Sequence, residues 1–100
     1  MQFVVIAKDG TDEGAVARRS EVRSAHLEGI RPLVERGHVP LGGAILDEAG
    51  RMVGSVMVVD FPTREELEAW LRTDPYVASG VWKQIEVHPY RAAVGSWLPD

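Results

Sequence analysis

The pattern of apolar and polar residues divides the chain into alternating strand-like and helix-like segments. Four segments have the β-branched and aromatic composition of strands: residues 2–8, 38–46, 52–60 and 82–91. Residues 15–36 carry apolar side chains at helical spacing, and a second helical segment follows Thr63. This order predicts an α+β protein of ferredoxin-like βαββαβ topology, in which two helices cover one face of a four-stranded antiparallel sheet.

The first helix is marked by one apolar stripe and by a glycine at its end. The stripe consists of Val22, His26, Ile30 and Leu33. Gly37 suits the position that follows a helix end. Pro32 lacks the N–H that would bond to the carbonyl of residue 28, and Gly29 adds softness nearby. We therefore expect a kink or a local break over residues 29–32.

Turn and capping residues mark the other boundaries. Pro40 favours an edge position for the second strand, and Gly42–Gly43 favour a bulge or a close approach. Thr63 followed by Glu66 is a capping box for the second helix. Asp74–Pro75 is predicted to end that helix and to start one further turn, with the aspartate as its cap.

The first and third strands are apolar on both faces of the predicted sheet. Residues 3–7 and 56–59 contain no polar side chain, whereas a sheet with one wet face alternates apolar and polar residues. Two helices cover only one face. We therefore expect a homodimer that pairs the open faces of two sheets. The simpler alternative is a flat, slightly hydrophobic surface.

The last strand divides into two sets of side chains by parity. Val81, Ile85 and Val87 form the set that suits the helix side. The other set contains Trp82, Gln84, Glu86, His88 and Tyr90. We expect this aromatic and polar set on the open face, where it lines a small-molecule cavity or forms a wet rim.

Composition limits the classes of protein that this chain can represent. A length of 100 residues allows one domain, expected over 1–92, with a tail over 93–100 that contains the apolar Trp97 and Leu98. The absence of cysteine removes disulfides and thiolate chemistry, and a net charge of −4 without a basic block argues against nucleic-acid binding. No apolar run approaches the roughly 20 residues of a membrane helix. No signal peptide is apparent, so we expect a cytoplasmic protein.

Histidine is the side chain whose ordinary pKa lies closest to neutrality, and the chain has three of them. His38 follows the helix-ending glycine and is expected to contact helix carbonyls or solvent. His88 belongs to the aromatic set of the last strand. His26 lies in the apolar stripe of the first helix, so it must find a hydrogen-bond partner there.

Asp74 is a candidate partner for His26. It follows Leu67 by seven residues and so continues the buried stripe of the second helix. A carboxylate on one ring nitrogen fixes the tautomer and leaves the other nitrogen free as a general base or acid. Arg23, one turn before His26, adds a permanent cation. The alternatives remain that a backbone group satisfies His26 and that Asp74 only caps the following turn.

Other chemistries lack their motifs. The chain contains no HxH, HxxxH or HExxH spacing for a metal, no glycine-rich nucleotide loop and no GxSxG context for a serine nucleophile. We therefore expect neither a metal nor an organic cofactor.

Several motifs together resemble the YCII-related (YciI-like) family over about residues 2–91. The most specific are R-x-x-H-L, which begins at Arg23, and D-P-Y-V-x-x-G, which begins at Asp74. The stretches Gly54–Ser55 and Ile85–Arg91 extend the resemblance. The chain departs from the family's uninterrupted first helix at residues 29–32.

The resemblance implies a ferredoxin-like fold that forms dimers of the α+β barrel kind. It also implies that His26 and Asp74 are the His and Asp proposed as the family's active-site pair, and that Arg23, Ser55 and Tyr76 lie beside the pocket. Most members have no assigned activity. Those likened to enzymes resemble small lyases that act on chlorinated hydroxyquinols.

Three functions remain open at this point. The first is a dimeric, cofactor-independent enzyme in which His26 transfers a proton on a small cyclic or aromatic substrate, Asp74 orients His26, and Arg23 stabilises an oxyanion or a carboxylate. Trp82 and His88 are further candidates for substrate contact. The second is a binding or regulatory module that holds a small ligand without changing it. The third is a structural dimerisation domain.

Overall fold

The computed structural model describes residues 1–96, and its elements confirm the predicted βαββαβ order. Trp97 and Leu98 of the expected tail lie outside the described residues. The strands are β1 Gln2–Asp9, β2 Leu41–Leu46, β3 Met52–Asp60 and β4 Trp82–Tyr90. The helices are α1 Ala15–Glu35, α2 Arg64–Thr73 and the single turn α3 Pro75–Ala78. Within residues 1–96, no helix combines the length and the apolar composition that a membrane crossing requires.

The four strands form one antiparallel sheet in the order β2-β3-β1-β4. This order interleaves two split βαβ units, because β3 lies between β1 and β2 and β1 lies between β3 and β4. The sheet edges are β2 and β4, so the edge position that Pro40 favoured for the second strand is confirmed. The bulge of this hairpin lies between Ile45 and Leu46 rather than at the two glycines.

The register assigns each side chain to one of the two faces of the sheet. Residues directly opposite in antiparallel strands share a face, and β1 pairs with both β3 and β4. The inner face, which packs against the helices, carries Phe3, Val5 and Ala7, which are all fully or almost fully buried. Leu67 and Leu71 of α2 complete this core.

The other face, here called the outer face, is apolar at its centre. Its central side chains are Val4, Ile6, Leu41, Ile45, Val56 and Val58. Leu41 is 53% exposed and Val56 is 37% exposed in the single chain. The prediction that the first and third strands carry apolar residues on both faces of the sheet is therefore confirmed.

The first helix continues through Pro32, so the break expected over residues 29–32 is absent. Pro32 and Glu28 are both exposed, which lets water hydrate the carbonyl that the missing N–H would have bonded. After Glu35, Gly37 adopts a φ of 81°. The N–H of His38 then bonds back to the Leu33 carbonyl at 2.8 Å, which closes the helix as expected for a glycine after the last turn.

The placement of Trp82 on the open face was wrong. A β-bulge between Lys8 and Asp9 shifts the pairing, so that Asp9 lies opposite Trp82 although Lys8 lies opposite Gln84. The extra residue, Lys83, reverses the parity at the start of β4. Trp82 therefore points to the inner face and is buried, while Gln84 and the later members of its set stay on the outer face.

Gly54 occupies a position in β3 where a side chain has no room. A Cβ atom there would lie 2.6 Å from the Ala7 carbonyl oxygen and 3.2 Å from Ile45 Cδ1. We expect Gly54→Ala to lower the free energy of unfolding by about 1–3 kcal/mol, because the backbone of β1 must shift. The measurement is urea denaturation. Gly29→Ala, at an exposed helical site with nothing within 4 Å, is the control and should be neutral or stabilising by up to about 1 kcal/mol. Equal stabilities for the two variants would contradict this account.

Candidate active site

The structure brings His26 and Asp74 into direct contact. His26 Nδ1 lies 2.9 Å from Asp74 Oδ1 and 3.0 Å from Oδ2. Both side chains are buried: His26 projects from the sheet-facing side of α1, and Asp74 lies between α2 and α3. An ionised carboxylate only accepts hydrogen bonds, so Nδ1 carries the proton and donates it.

The position of Asp74 follows from the local sequence. The residue ends α2 and begins α3, where Pro75 occupies the first helical position. Its Oδ1 accepts a 2.8 Å hydrogen bond from the Tyr76 backbone N–H, as a cap of α3 does. One carboxylate therefore caps the turn and holds the imidazole, so the two interpretations left open for Asp74 are compatible.

Two aromatic rings fix the plane of the imidazole. Tyr76 stacks on His26 with ring centroids 4.0 Å apart and an interplanar angle of 11°. Trp82 meets the imidazole edge-on at 5.6 Å. Because Tyr76 is bound through its backbone to Asp74 and through its ring to His26, this contact leaves the pair little rotational freedom.

Arg19 forms a second buried polar group next to the pair. Its Nη1 donates to both carboxylate oxygens of Asp9, at 2.9 Å and 3.0 Å, and its Nη2 donates to Ser55 Oγ at 2.7 Å. The guanidinium carbon lies 4.8 Å from the centroid of the Tyr76 ring, within the range of a cation–π contact. Arg19, Asp9 and Ser55 are all less than a tenth exposed.

Arg19 and Asp9 are the polar site residues that sequence reasoning missed. Arg19 lies seven residues before His26, on the same side of α1, so the apolar stripe extended by two turns would have found it. The bulge at Lys8 and Asp9 gave no comparable signal, because Asp9 precedes Gly10 and is typical of a turn. A buried arginine requires a partner, and Asp9 supplies it.

A cavity of about 440 Å³ lies beside the pair, within the size range of small-molecule sites. It is formed by α1, by the chain from Val39 to Ala44, by β3 and by Tyr76. The polar residues that line it are Arg19, Arg23, His26, Ser55 and Tyr76. Among the described residues, no carboxylate lines the cavity, so its charge is positive.

The second ring nitrogen of His26 is available to a molecule in this cavity. Within residues 1–96, Nε2 of His26 has no hydrogen-bond partner. In the same residues, the one side-chain nitrogen or oxygen that is unpaired and has no contact with solvent is Arg19 Nε, so the unpaired Nε2 of His26 keeps some exposed surface. Nε2 is therefore accessible, and the lining places it at the cavity. In the neutral ring, with its proton on Nδ1, Nε2 presents a lone pair.

Arg23 and Tyr76 provide a cation and a hydroxyl at the same cavity. Arg23 is exposed and lies one turn before His26. Burial raises the pKa of Tyr76 above its ordinary range, although Arg19 and Arg23 oppose the shift. The Tyr76 hydroxyl is thus a neutral hydrogen-bond donor at physiological pH.

The structure separates His88 from these residues. His88 pairs with Val4 in the register and so lies on the outer face. Its Nε2 is 3.6 Å from Glu86, and both side chains are more than half exposed. A substrate contact by His88 stays a prediction. Trp82 is not part of the cavity lining, but it contacts lining residues: its Nε1 donates to Ser55 Oγ at 3.2 Å, and its ring lies edge-on against His26.

His38 has a structural position. Its Nδ1 bonds to the Asp60 carbonyl at 2.8 Å and its ring stacks on Phe61. Within the described residues 1–96, no group of three or more His, Cys, Asp or Glu side chains converges as a metal site would require.

The fold and the pair define a class of small α+β proteins with a buried His–Asp contact beside a positively charged cavity. The family comparison gives this class its name. The YCII-related domain matches residues 1–91, and the chain belongs to this family. The resemblance in the sequence motifs is confirmed.

Relatives in bacteria and fungi align over nearly the whole chain. Protein YciI of Escherichia coli O6:H1 is 32% identical over 97 residues, which cover 91% of this chain and 97% of the relative. Fusaric acid biosynthesis protein 2 of Gibberella fujikuroi is 28% identical over 99 residues, which cover 91% and 93% respectively.

A solved structure confirms the fold. The dehydrochlorinase of 5-chloro-2-hydroxyhydroquinone from Burkholderia phenoliruptrix AC1100, in complex with 2,5-dihydroxybenzoquinone, superposes with a TM-score of 0.81. The two chains are 22% identical, and the alignment covers 93% of this chain and 96% of the other. At that identity the likeness establishes the shared ferredoxin-like architecture.

Proposed function

We propose that the protein is a small enzyme that transfers a proton on an oxygen-bearing cyclic or aromatic substrate, with His26 as the general base. One observation carries the proposal: Asp74 holds Nδ1 at 2.9 Å while Nε2 lies free at a cavity. A positioned imidazole of this kind takes a proton through Nε2 and returns it as the imidazolium. In this proposal the protein works in the cytoplasm without a resident metal or organic cofactor.

The polar lining supports a substrate that gains negative charge as it reacts. When Nε2 removes a proton from a ring carbon or hydroxyl, the electron pair moves onto a conjugated oxygen. Arg23 and the protonated Tyr76 hydroxyl both line the cavity and stabilise that oxyanion. The electron pair then either expels a leaving group, as in a lyase, or is reprotonated at another position, as in an isomerase.

The relatives support this substrate class. The structural neighbour is by its name a dehydrochlorinase of a chlorinated hydroxyhydroquinone, and its complex contains a dihydroxybenzoquinone. One fungal relative is named for fusaric acid biosynthesis. Both names concern small organic molecules, and a cavity of about 440 Å³ accommodates a single substituted ring.

Two assays test catalysis. The first uses proton NMR to measure the exchange of the ring protons of 2,5-dihydroxybenzoquinone in D₂O. The second measures the release of chloride from 5-chloro-2-hydroxyhydroquinone. An enzyme of the proposed type accelerates at least one of these reactions above the rate in buffer. Saturable binding of both molecules without acceleration would favour the alternative of a binding or regulatory module. If neither molecule binds and neither reaction is accelerated, the proposed substrate class is wrong.

We also propose that the outer face is covered by a second copy of the chain. Val4, Ile6 and Val56 form an apolar centre on this face, and Val56 is 37% exposed in the single chain. A patch of this kind usually marks an interface. A second copy presents the same apolar surface, so a two-fold arrangement pairs the two sheets.

Light scattering at micromolar concentration tests the dimer. We expect twice the chain mass of 11.0 kDa for the wild type and the chain mass for Val56→Asp, because the buried carboxylate would be unpaired. Ala69→Asp, on the exposed side of α2, is the matched control and should remain dimeric. A wild-type species at the chain mass would contradict the proposal.

A further inference from the structure

Ser55 Oγ receives two hydrogen bonds, one from a residue of α1 and one from a residue of β4. Arg19 Nη2 donates to it at 2.7 Å and Trp82 Nε1 donates at 3.2 Å. A serine hydroxyl has two lone pairs and one proton. Both donors are side chains that only donate, so their two hydrogen bonds occupy both lone pairs of the oxygen.

The remaining capacity of Ser55 is its own proton. Within residues 1–96 this proton has no acceptor, since every hydrogen bond recorded at Ser55 Oγ is one that it accepts. Ser55 is 4% exposed, and the surface that it keeps lines the cavity. A buried hydroxyl proton needs an acceptor, and the cavity is where that acceptor must lie.

The orientation of Ser55 is fixed by the buried pair of Arg19 and Asp9, of which Arg19 also lines the cavity. Asp9 holds Arg19 Nη1 through both carboxylate oxygens, which directs Nη2 to Ser55. The cation also polarises the hydroxyl, because a charged donor strengthens the hydrogen bonds that the same oxygen makes in turn.

We infer that Ser55 is a one-way donor that selects ligands with a carbonyl or anionic oxygen, and that Arg19 is the positioning residue that sets this polarity. The ligand class rests on the proposed function, and the new element is that the Ser55 hydroxyl is the group that recognises it. A ligand whose corresponding atom is an N–H or O–H donor finds no lone pair at Ser55 and is rejected. The oxygen bound there is the one on which charge develops when His26 removes a proton.

Two probes of similar size distinguish a donor from a merely structural serine. The first is 2,5-dihydroxybenzoquinone, which carries carbonyl oxygens, and the second is 1,4-dimethylbenzene, which carries none. Dissociation constants are measured by NMR titration, and the carbonyl stretch of the bound quinone is measured by infrared difference spectroscopy. The proteins are the wild type, Ser55→Ala and the double variant Asp9→Asn/Arg19→Gln, which removes both buried charges together and so avoids an unpaired one.

We expect Ser55→Ala to weaken quinone binding about tenfold or more, the size of a hydrogen bond to a charged or polarised group. Its affinity for 1,4-dimethylbenzene should change by less than about twofold, since only the hydroxyl is removed. The carbonyl stretch, lowered in the wild type, should return towards its value in solution. The double variant should show an intermediate carbonyl shift, because Ser55 remains but its polarity is no longer set.

Other outcomes overturn the inference. An unchanged carbonyl stretch in Ser55→Ala, equal weakening of both probes, or a wild-type protein that does not bind the quinone would each do so. A double variant identical to the wild type would remove Arg19 from the account. Catalysis fails separately: if Ser55→Ala behaves as expected while His26→Gln keeps full ring-proton exchange, the proposed function is wrong and the donor role stands.

Discussion

His26→Gln is expected to lower the rate of ring-proton exchange by about 10²–10⁴-fold, the contribution of a positioned general base. Glutamine still bonds to Asp74 through its amide N–H, so the buried carboxylate keeps a partner. It has no basic nitrogen to replace Nε2. The loss should therefore appear in the rate of the chemical step, with binding of 2,5-dihydroxybenzoquinone changed much less.

The matched control is His38→Gln. His38 bonds to the Asp60 carbonyl and stacks on Phe61, away from the cavity lining. The same substitution there should cost stability but leave the rate of the folded protein unchanged. A folded His26→Gln protein whose exchange rate stays within about threefold of the wild type would exclude His26 as the base.

Asp74→Asn is expected to lower the exchange rate by a similar factor, up to about 10⁴-fold, through the tautomer of His26. The asparagine oxygen still accepts the Tyr76 N–H and caps α3. Its amide N–H₂ takes the place of Oδ2, 3.0 Å from Nδ1, and donates towards that nitrogen, while the oxygen that remains near Nδ1 is already bonded to the Tyr76 N–H. Nδ1 becomes the acceptor and the proton moves to Nε2, which loses the lone pair that a base requires.

A comparison of rate with affinity separates this effect from damage to the cavity. Quinone affinity and the urea midpoint should change little in Asp74→Asn, because its shape and its cap are retained. Asp12→Asn, which alters an exposed ion pair with Arg18, is the control and should match the wild type in rate. Full activity of Asp74→Asn would show that the carboxylate serves only as a helix cap.

The sequence predicted the fold because its local signals agree with one another. The Thr63 cap of α2 and the Asp74–Pro75 start of α3 lie where they were expected, and Thr63 Oγ1 accepts the Glu66 N–H at 3.1 Å. The contact of His26 with Asp74 followed from two helical stripes that face the same sheet.

The errors concern features that helical and strand periodicity do not encode. The bulge at Lys8 and Asp9 moved Trp82 from the outer face to the inner one, and an extra residue in a strand leaves no regular signal in a single sequence. The break expected at Pro32 is absent because the unpaired carbonyl lies on the wet side of α1. In both cases the environment of the backbone decided the outcome.

The donor set of the site was only partly predictable. Arg23 was identified as one turn from His26, but Arg19, which is buried and holds Ser55, was not. Charged residues are ordinarily expected on the wet side of a helix. The partner that permits the burial of Arg19 is Asp9, and that contact exists only once β1 and α1 have packed together.

The most direct test of the central claim is the tautomer of His26, measured by ¹⁵N–¹H correlation of the imidazole ring in the wild type and in Asp74→Asn. We expect the neutral ring of the wild type to carry its proton on Nδ1 and to have a bare Nε2. In Asp74→Asn the proton should lie on Nε2. A wild-type ring protonated at Nε2 with a bare Nδ1, or the same tautomer in both proteins, would contradict the assignment of His26 as a base held by Asp74.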